Sequence, residues 1–401
     1  MTKASLNSKS YKQHDIKDKT VLVRVDYNVP MDPGTNNIAD DSRILASIPQ
    51  IEYLLNRNCK VILLSHLGRP DSNSDTEFSM MPITTRLSEI LDKPVLQLPT
   101  CKGEDVENQI NQLPLRSVSM LENIRFELGE TKNDHNLSRE LANLADIYIN
   151  DAFGVAHRAH ASTEGITKFI PSYIGLLMQK ELDILGKLMS NPDRPMTSVI
   201  GGAKASDKMG VLQNLSKTVD AIIIGGGMAA TFIKAKGLGV GASKYEEDRL
   251  TEVSNLMGND KIRAELIIPT DVIVADSFHE NANFEVTSIY SIPENMIILD
   301  VGPRTSEKYA ATINKSSTVI WNGPMGVFEW KNFSSGTINV AKAIAGLKDA
   351  TTVVGGGSTA DVVSKLNMNN DVTHVSTGGG ATLTYLEGKP LPAIEAILKN
   401  D

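Results

Sequence analysis

The chain has 401 residues, of which 41% are apolar and 22% charged, and its formal net charge is −8. This length and composition predict a globular protein with two domains, and the negative charge argues against a general nucleic-acid-binding surface. Residues 1–20 are polar and lack the apolar segment of a signal peptide, no apolar run has the length of a membrane span, and two cysteines suit a reducing compartment. We therefore expect a cytoplasmic protein without a membrane anchor.

The first half alternates the patterns of buried strands and amphipathic helices. Apolar, β-branched runs predict strands at 21–29, 60–68, 116–124 and 145–153, and helical periodicity predicts helices at 41–58, 83–91 and 137–145. This alternation predicts a parallel sheet with helices on both faces. A further helical pattern at 174–190, followed by the turn signal NPDRP, predicts a long helix linking two α/β units.

Polar residues of the first half stand where its apolar runs stop, and ligands of open α/β sheets bind just beyond the carboxyl ends of the strands. Arginine forks suit phosphate and carboxylate, so this set predicts a small, strongly anionic ligand. The set consists of Asp26, Asn28, His66, Arg69, Arg125 and Arg158, joined by Arg43 in the first turn of the next helix.

Simpler interpretations exist for single members of this set. One arginine at a strand end is ordinarily a surface ion-pair partner. The spacing of His157 and His160 suggests a metal pair, but no third ligand stands at a recognisable spacing. Asp26, two residues after Arg24, is interpreted as a structural or hydroxyl-binding carboxylate rather than a catalytic base.

In the second half, five apolar runs end in glycine-rich turns, at 198–204, 221–229, 318–326, 352–359 and 374–382. Glycines let the backbone turn tightly and bring N–H groups close to a ligand, and a following helix N-terminus adds partial positive charge. None of the turns is a P-loop or a G-x-G-x-x-G fingerprint. The pattern predicts a nucleotide held by a whole sheet edge instead of one loop.

Charged and hydroxyl residues accompany these turns. Lys204 and Lys208 follow GGA and would share one face if a helix began at the glycines, where their charges would suit a transferring phosphoryl group. Glu329 follows a glycine–proline turn and could accept ribose hydroxyls. Ser358 and Thr359 are expected at a helix N-cap, where hydroxyls can also meet a phosphate or a metal.

Nine segments in order, covering nearly the whole chain, resemble the phosphoglycerate kinase family: VRVDYNVP, SHLGRP, LENIRF with GETKND, DAFGVAHRAHAS, GGAKASDKM, GGGMAATF, WNGPMGVFE, GGGST and STGGGAT. The resemblance implies two Rossmann-like three-layer α/β domains with parallel sheets, joined by a hinge helix. It places the 3-phosphoglycerate-binding domain at 1–173 with the C-terminal segment 387–401, the hinge at 174–195 and the nucleotide-binding domain at 196–386.

The resemblance also implies roles for single residues, with Arg43 and Lys204 as the catalytic pair that stabilises the phosphoryl group in transfer. The backbone N–H groups of Gly379 and Gly380 would serve the transition state. Implied substrate-binding residues are Asp26, Asn28, Arg43, His66, Leu67, Gly68, Arg69, Arg125 and Arg158. Implied nucleotide-binding residues are Lys204, Lys208, Gly225, Gly226, Glu329, Gly356, Gly357, Ser358 and Thr359.

The implied reaction is reversible phosphoryl transfer between 1,3-bisphosphoglycerate and ADP, giving 3-phosphoglycerate and ATP, in glycolysis and gluconeogenesis. The acceptor in the reverse direction is a carboxylate that is already ionised, so we predict no catalytic histidine or aspartate. Direct in-line transfer upon hinge closure, without a covalent enzyme intermediate, and a monomeric enzyme are expected.

One departure from the family concerns magnesium. The family usually has aspartate at the position of Ser358, where the carboxylate helps to hold Mg²⁺. We expect Mg²⁺ to be retained, held mainly by nucleotide oxygens and water, with Ser358 as a weak contributor. Two other classes remain as alternatives: a non-catalytic phospho-ligand sensor, favoured only by Ser358, and a nicotinamide dehydrogenase, whose fingerprint is absent.

Overall fold

The computed structural model describes residues 10, 12, 14–32, 34–35, 37–72, 75–259 and 262–400. The chain divides into two compact units, Met1–Ile184 with Pro390–Asp401 (unit 1) and Leu185–Lys389 (unit 2). In unit 1 the C-terminal segment contacts the main body, because the Asn400 side chain donates to the carbonyl groups of Thr167 and Ile170. Among the described residues, no helix combines the length and the apolar character that crossing a membrane requires.

The elements are numbered in chain order. The strands are β1 Thr20–Arg24, β2 Lys60–Leu64, β3 Val95–Gln97, β4 Val118–Met120, β5 Ile147–Asn150, β6 Ser172–Ile174, β7 Met196–Ile200, β8 Ala221–Ile224, β9 Glu265–Ile267, β10 Asp271–Ala275, β11 Phe284–Ser288, β12 Ile297–Val301, β13 Thr318–Asn322, β14 Thr351–Gly355 and β15 His374–Val375. The α-helices are α1 Ser42–Asn56, α2 Met81–Leu91, α3 Glu104–Gln112, α4 His135–Ala142, α5 Leu176–Ser190, α6 Met209–Leu215, α7 Ala229–Ala235, α8 Leu250–Met257, α9 Pro303–Ile313, α10 Ser335–Ala345, α11 Gly357–Lys365, α12 Gly380–Leu386 and α13 Pro392–Lys399.

Unit 1 is a three-layer α/β structure. Its six strands form one parallel sheet in the order β3–β4–β2–β1–β5–β6. Successive residues of β1 enter different cores, because Val21 and Val23 pack with α1 and α2 whereas Leu22 packs with α3 and α4. Both faces of the sheet are therefore covered, which explains the nearly continuous apolar strands and confirms the predicted class.

The predicted strands of unit 1 were too long at their carboxyl ends. Strand β1 ends at Arg24, not at residue 29. Val25, Tyr27 and Val29 lie in the loop that follows, but they are buried, so alternate residues remain buried beyond the end of the strand. The surplus residues form the loops that follow the strands. The predicted helix at 174–190 begins at Leu176, since β6 occupies the chain up to Ile174.

Unit 2 contains a second six-stranded parallel sheet, in the order β15–β14–β13–β7–β8–β9. The chain runs outward from β7 to β9 and returns to place β13 on the other side of β7. Neighbouring strands whose connections leave in opposite directions open a crevice at their carboxyl ends, which is the usual ligand site of such sheets. In unit 1 the equivalent neighbours are β1 and β5.

A smaller antiparallel sheet in unit 2, in the order β11–β10–β12, was not predicted. Three of the five residues of β11 are exposed and none is fully buried, and its sequence FEVTS lacks the continuous apolar run from which the other strands were predicted. The sheet packs on α7 through Val272 and Val274. The three-residue strands β3 and β9 were also missed because their pattern is too short to detect.

Candidate active site

In unit 1, the loops after β1 and β2 are joined by hydrogen bonds. The Asn28 side chain accepts a hydrogen bond of 2.8 Å from the backbone N–H of Gly68, and the N–H of Tyr27 donates to Ser65 Oγ at 2.8 Å. Gly68 has φ +59° and a Cβ atom there would collide with the Phe78 ring, so this position requires glycine. The two loops thus form one rigid wall.

Asn123, which was not predicted, fixes the next loop against this wall. Its buried amide donates to the carbonyl of Leu67 at 2.8 Å and to that of Phe78 at 2.9 Å. Its Oδ1 accepts from the N–H of Leu67 at 3.2 Å and from that of Arg125 at 3.1 Å. It follows a buried strand, which is the signal that marked the predicted set.

Asp26 forms an ion pair with Arg43, the second residue of α1. Its other oxygen lies 3.4 Å from the backbone nitrogen of Asn28 and 4.0 Å from His66 Nδ1. The carboxylate therefore orients Arg43, which fits the interpretation of Asp26 as a structural group with an oxygen left to accept from a hydroxyl.

The arginines of unit 1 repel one another. Burial, followed by the charges of Arg24, Arg125, Arg158 and Arg43, holds the pKa of His66 well below its usual value. Burial and then the charges of Arg158 and Arg24 lower the pKa of the Arg125 guanidinium, against an opposing effect of Glu130. Arg69 at the end of the β2 loop is exposed and adds to the same field. This concentration of positive charge at the carboxyl edge of the sheet is suited to an anion.

The two histidines of HRAH serve other roles than a metal pair. His160 Nδ1 lies 3.5 Å from the buried carboxylate of Glu130, and Arg158 Nε donates to His157 Nε2 at 3.3 Å. Within the described parts of the chain, no group of three or more His, Cys, Asp or Glu residues could hold a metal ion.

In unit 2, the glycine turns are bonded to one another through the backbone. The N–H of Gly202 donates to the Pro324 carbonyl at 3.3 Å, and that of Gly226 to the Met325 carbonyl at 2.9 Å. Gly226 (φ +69°) and Gly323 (φ +100°) approach the Gly201–Gly202 backbone so closely that a Cβ atom would collide with it. Three glycine turns, after β7, β8 and β13, therefore form one continuous surface at the crevice.

The lysines lie beside this surface, but not on a helix. Because α6 begins at Met209, both Lys204 and Lys208 precede it, so the expected common helix face was wrong. Lys208 donates to Asn322 Oδ1 at the end of β13, and burial lowers its pKa despite the opposing charges of Asp207 and Glu387. Lys204 is exposed.

Asn322 itself was not predicted, although it follows the buried run of β13 as the other site residues follow theirs. It is 2% exposed, and its Nδ2 has no hydrogen-bond partner among the residues that the structure describes. A Cβ atom at Gly356 would lie 3.2 Å from that nitrogen. This donor is therefore available beside the turn that begins α11.

The turn after β14 differs from the expected N-cap. Gly356 (φ +92°) is the N-cap of α11, whereas Ser358 and Thr359 lie in its first turn. Thr359 is buried and its Oγ1 accepts from the N–H of Gly323 at 2.7 Å, so it ties two turns together. Ser358 is exposed, and the space beside Gly357 is open. A glycine-flanked helix N-terminus of this kind suits a phosphate.

The remaining predicted residues of unit 2 lie at the ends of the same loops. Glu329 is exposed in the loop after β13, and Gly225 packs against the Met325 side chain. Gly379 (φ +47°) is the N-cap of α12, which begins at Gly380, and no atom lies within 4 Å of its Cβ position.

Known proteins match the chain over nearly its whole length. Residues 11–389 match the phosphoglycerate kinase family. A cytosolic phosphoglycerate kinase of Triticum aestivum is 49% identical over 387 residues, covering 96% of each chain. The chain belongs to the phosphoglycerate kinase family. The phosphoglycerate kinase structure of Coxiella burnetii matches with TM-score 0.86 and 38% identity over 97% of this chain and 98% of that one. The structure of Pyrococcus horikoshii phosphoglycerate kinase matches with TM-score 0.83 and 31% identity over the same shares.

Membership of the phosphoglycerate kinase family makes the chain a phosphotransferase of glycolysis. Its substrates are 3-phosphoglycerate or 1,3-bisphosphoglycerate and ADP or ATP, and a carboxyl group is the acceptor of the phosphoryl group. The sensor and dehydrogenase alternatives have no support in these matches.

Proposed function

We propose that unit 1 binds the phosphoglycerate and unit 2 the nucleotide, and that the phosphoryl group passes directly between them. The observation that carries this division is the contrast between the two crevices. In unit 1 the crevice presents arginine side chains that repel one another despite the nearby carboxylates of Asp26 and Glu130, and in unit 2 it presents glycine backbone.

In unit 1, the phosphate and carboxylate of 3-phosphoglycerate would supply negative charge that offsets the repulsion among the arginines. Arg69, Arg125 and Arg158 would bind these groups as forks, and His66 would donate one hydrogen bond. The Asp26 oxygen that does not pair with Arg43 accepts a long hydrogen bond from the Asn28 N–H and would also accept one from the substrate hydroxyl group.

In unit 2, the nucleotide phosphates would lie on the glycine turns and at the N-terminus of α11. Lys208 and the unpartnered Nδ2 of Asn322 would donate to phosphate oxygens. Gly225 and Gly226 would lie near the base, because their lack of side chains leaves room there, and the exposed Glu329 would accept from the ribose hydroxyls.

The transfer step needs positioning and charge neutralisation rather than acid–base chemistry. The acceptor carboxylate of 3-phosphoglycerate is ionised near neutral pH, so no residue has to remove a proton. Arg43 and Lys204 would neutralise the equatorial oxygens of the transferring group, with the backbone N–H groups of Gly379 and Gly380. Because the reactants bind to different units, we propose closure through the hinge at 174–195 as the step that joins them.

Magnesium is compatible with this donor set as a partner of the nucleotide. Mg²⁺ commonly keeps several waters and takes phosphate oxygens, so it needs few protein ligands. The exposed hydroxyl of Ser358 could bind a metal-bound water or a phosphate oxygen at the start of α11. When bound, Mg²⁺ supplies neutralisation of the phosphate charge.

Isothermal titration of ADP at several Mg²⁺ concentrations tests the role of Ser358 without relying on turnover. Replacing Ser358 by Asp should restore the carboxylate of the family and lower the Mg²⁺ concentration needed for tight ADP binding by about threefold to tenfold. Ser364→Asp, at the other end of α11, is the control and should leave this concentration unchanged. An unchanged Mg²⁺ requirement in Ser358→Asp would remove the basis of the account.

The transfer reaction is tested by a coupled assay of ATP formation from 1,3-bisphosphoglycerate and ADP, with turnover measured in both directions. Purified chain should form ATP at a rate typical of the family. A chain that binds both ligands and forms no ATP would instead be the sensor. We also propose that the enzyme works in the cytoplasm as a monomer, which sedimentation during turnover can test.

A further inference from the structure

Arg24 is a fully buried charge of unit 1, and none of the proposed substrate contacts uses it. It is the last residue of β1 and is 1% exposed. Its Nε donates to Ser162 Oγ at 2.9 Å, its Nη1 donates to the carbonyl of Val25, and its Nη2 lies 3.4 Å from His66 Nδ1. A guanidinium group has only donors, so the contact with His66 is a hydrogen bond only when Nδ1 carries a lone pair.

We propose that Arg24 is a positioning residue that holds His66 as the neutral tautomer with its proton on Nε2. The inference rests on the proposed function of unit 1 as the phosphoglycerate site. In this tautomer, Nε2 is the hydrogen-bond donor that the ring offers to an anionic oxygen. Arg24 acts through His66 and does not touch the substrate.

The charges around His66 leave few alternatives. Arg24 on β1, Arg43 on α1, Arg125 after β4 and Arg158 after β5 all act on the ring, and Asp26 is the carboxylate that faces it. Asp26 Oδ1 lies 4.0 Å from Nδ1, which is too long for a hydrogen bond, and Oδ2 is engaged by Arg43. Burial and the four arginines hold the pKa of His66 well below its usual value, so the ring is neutral. The position of its one proton is then decided by Arg24.

Arg24 is itself fixed by a buried carboxylate. Ser162, which accepts from Arg24, donates its hydroxyl to Glu130 at 2.7 Å and its N–H to the other Glu130 oxygen at 2.9 Å. Burial would raise the pKa of Glu130, but hydrogen bonding from His160, the charge of Arg24 and the Ser162 hydrogen bonds together lower it. Glu130 is therefore ionised, and a chain of contacts runs from Glu130 through Ser162 and Arg24 to His66.

The consequence concerns how the site binds an anion. A neutral Nε2–H donor adds a hydrogen bond without adding another charge to the crowded arginines. Substrate binding then requires no proton uptake by His66, and the KM for 3-phosphoglycerate should not change through titration of this ring between about pH 6 and 8. A ring with its proton on Nδ1 would face Arg24 donor to donor and offer only a lone pair to the anion.

Ring nitrogen NMR on the full chain, labelled with ¹⁵N-histidine, tests the tautomer directly. His66→Gln identifies the signals of His66 among those of the 7 histidines. We expect the shifts of the neutral Nε2–H form, unchanged from pH 6 to 8. A protonated Nδ1, or a ring that titrates in this range, would overturn the proposal.

Arg24→Lys should shift His66 towards a mixture of tautomers, because an ammonium group cannot reach both Ser162 and His66. We expect the KM for 3-phosphoglycerate to rise about tenfold, that for ATP to stay unchanged, and kcat to change less than KM. If this variant does not fold, Ser162→Ala, which removes the acceptor of Arg24 Nε, should produce a smaller shift of the same kind. An unchanged His66 tautomer in a folded variant would contradict the inference.

The two failures are distinguishable. If 3-phosphoglycerate does not perturb His66 or any other signal of unit 1, the proposed function of this unit is wrong, whichever tautomer is found. If it binds there while the ring carries its proton on Nδ1, the function stands and the role of Arg24 is wrong.

Discussion

Unit 1 and unit 2 present different parts of the chain at equivalent places in their sheets. The crevice between β1 and β5 is lined with guanidinium groups, whereas that between β7 and β13 is lined with glycine backbone and two lysines. Guanidinium groups at the ends of long arginine side chains suit a small ligand with two compact anionic groups. Backbone N–H groups suit an extended polyphosphate, which needs donors along its length.

Mutations in the two crevices should affect folding and binding in different ways. Truncating an arginine in unit 1 removes a contact and relieves repulsion, so the fold should survive. Adding a methyl group to a glycine in unit 2 forces one piece of backbone away from another, so structure and binding should be lost together.

The largest expected effect is that of Lys204→Ala in unit 2. Its ammonium group is proposed to act mainly in the transition state, so kcat should fall about 10²- to 10³-fold while ADP affinity changes little. Steady-state kinetics with calorimetric ADP binding measure the two quantities. Lys217→Ala, at another exposed lysine of unit 2, is the matched control and should be silent. Equal weakening of binding and turnover would assign Lys204 to ground-state binding.

Arg158→Ala should give the next largest effect, confined to unit 1. Loss of one charge-assisted contact should raise the KM for 3-phosphoglycerate roughly 10- to 100-fold and leave that for ATP nearly unchanged. Arg139→Ala is the control, because that residue is exposed on α4 and its side chain donates to the nearby Asn136. A rise in the KM for ATP alone would place the arginines in the wrong site.

Gly323→Ala tests the backbone design of unit 2. Positive φ and the collision with the backbone of Gly201 should lower the free energy of unfolding of unit 2 by about 1–3 kcal/mol and weaken ADP binding. Hydrogen exchange measures the free energy of unfolding separately for each unit. The binding of 3-phosphoglycerate should be retained. Gly239→Ala, whose Cβ would meet no atom within 4 Å, is the control. Normal exchange and ADP binding in Gly323→Ala would show that the turns tolerate side chains.

Much of this architecture could be predicted from the sequence because the residue types change where the buried strands end. Apolar, β-branched runs located most strands of the parallel sheets, and the polar or glycine residues at which these runs stop lie at the carboxyl edges of the two sheets. The exposed strand β11 carries no such pattern, and the contact of Arg24 with His66 depends on how β1 and the β2 loop pack. The sequence separation of 42 residues between these two side chains gives no hint of it.

A different comparison concerns two buried carboxyl groups with raised pKa values, Asp151 in unit 1 and Asp300 in unit 2. Burial raises the pKa of Asp151 to about 6, although the N–H groups of Met178 and Leu177 act in the opposite direction. Burial likewise raises the pKa of Asp300 to about 7, opposed by the N–H groups of Gly336 and Val301 and the hydroxyl of Ser335. A carboxyl group with a raised pKa stabilises the fold most below its unfolded pKa of about 3.9 and loses this contribution as pH rises to its folded pKa.

Between pH 6 and 7 Asp300 should therefore be the more protonated of the two carboxyl groups in the folded protein. Over this interval the stability of unit 2 in the wild type, relative to Asp300→Asn, should fall by up to about 1.4 kcal/mol. The matching difference for unit 1, between the wild type and Asp151→Asn, should fall mainly below pH 6 and change less above it. Hydrogen exchange in β12 and β5, corrected for intrinsic exchange rates, measures the two differences, and comparison with each variant cancels the titration of histidines. A flat difference for Asp300 would mean that its carboxyl group is ionised in the folded unit throughout this range, so that the donors around it outweigh its burial.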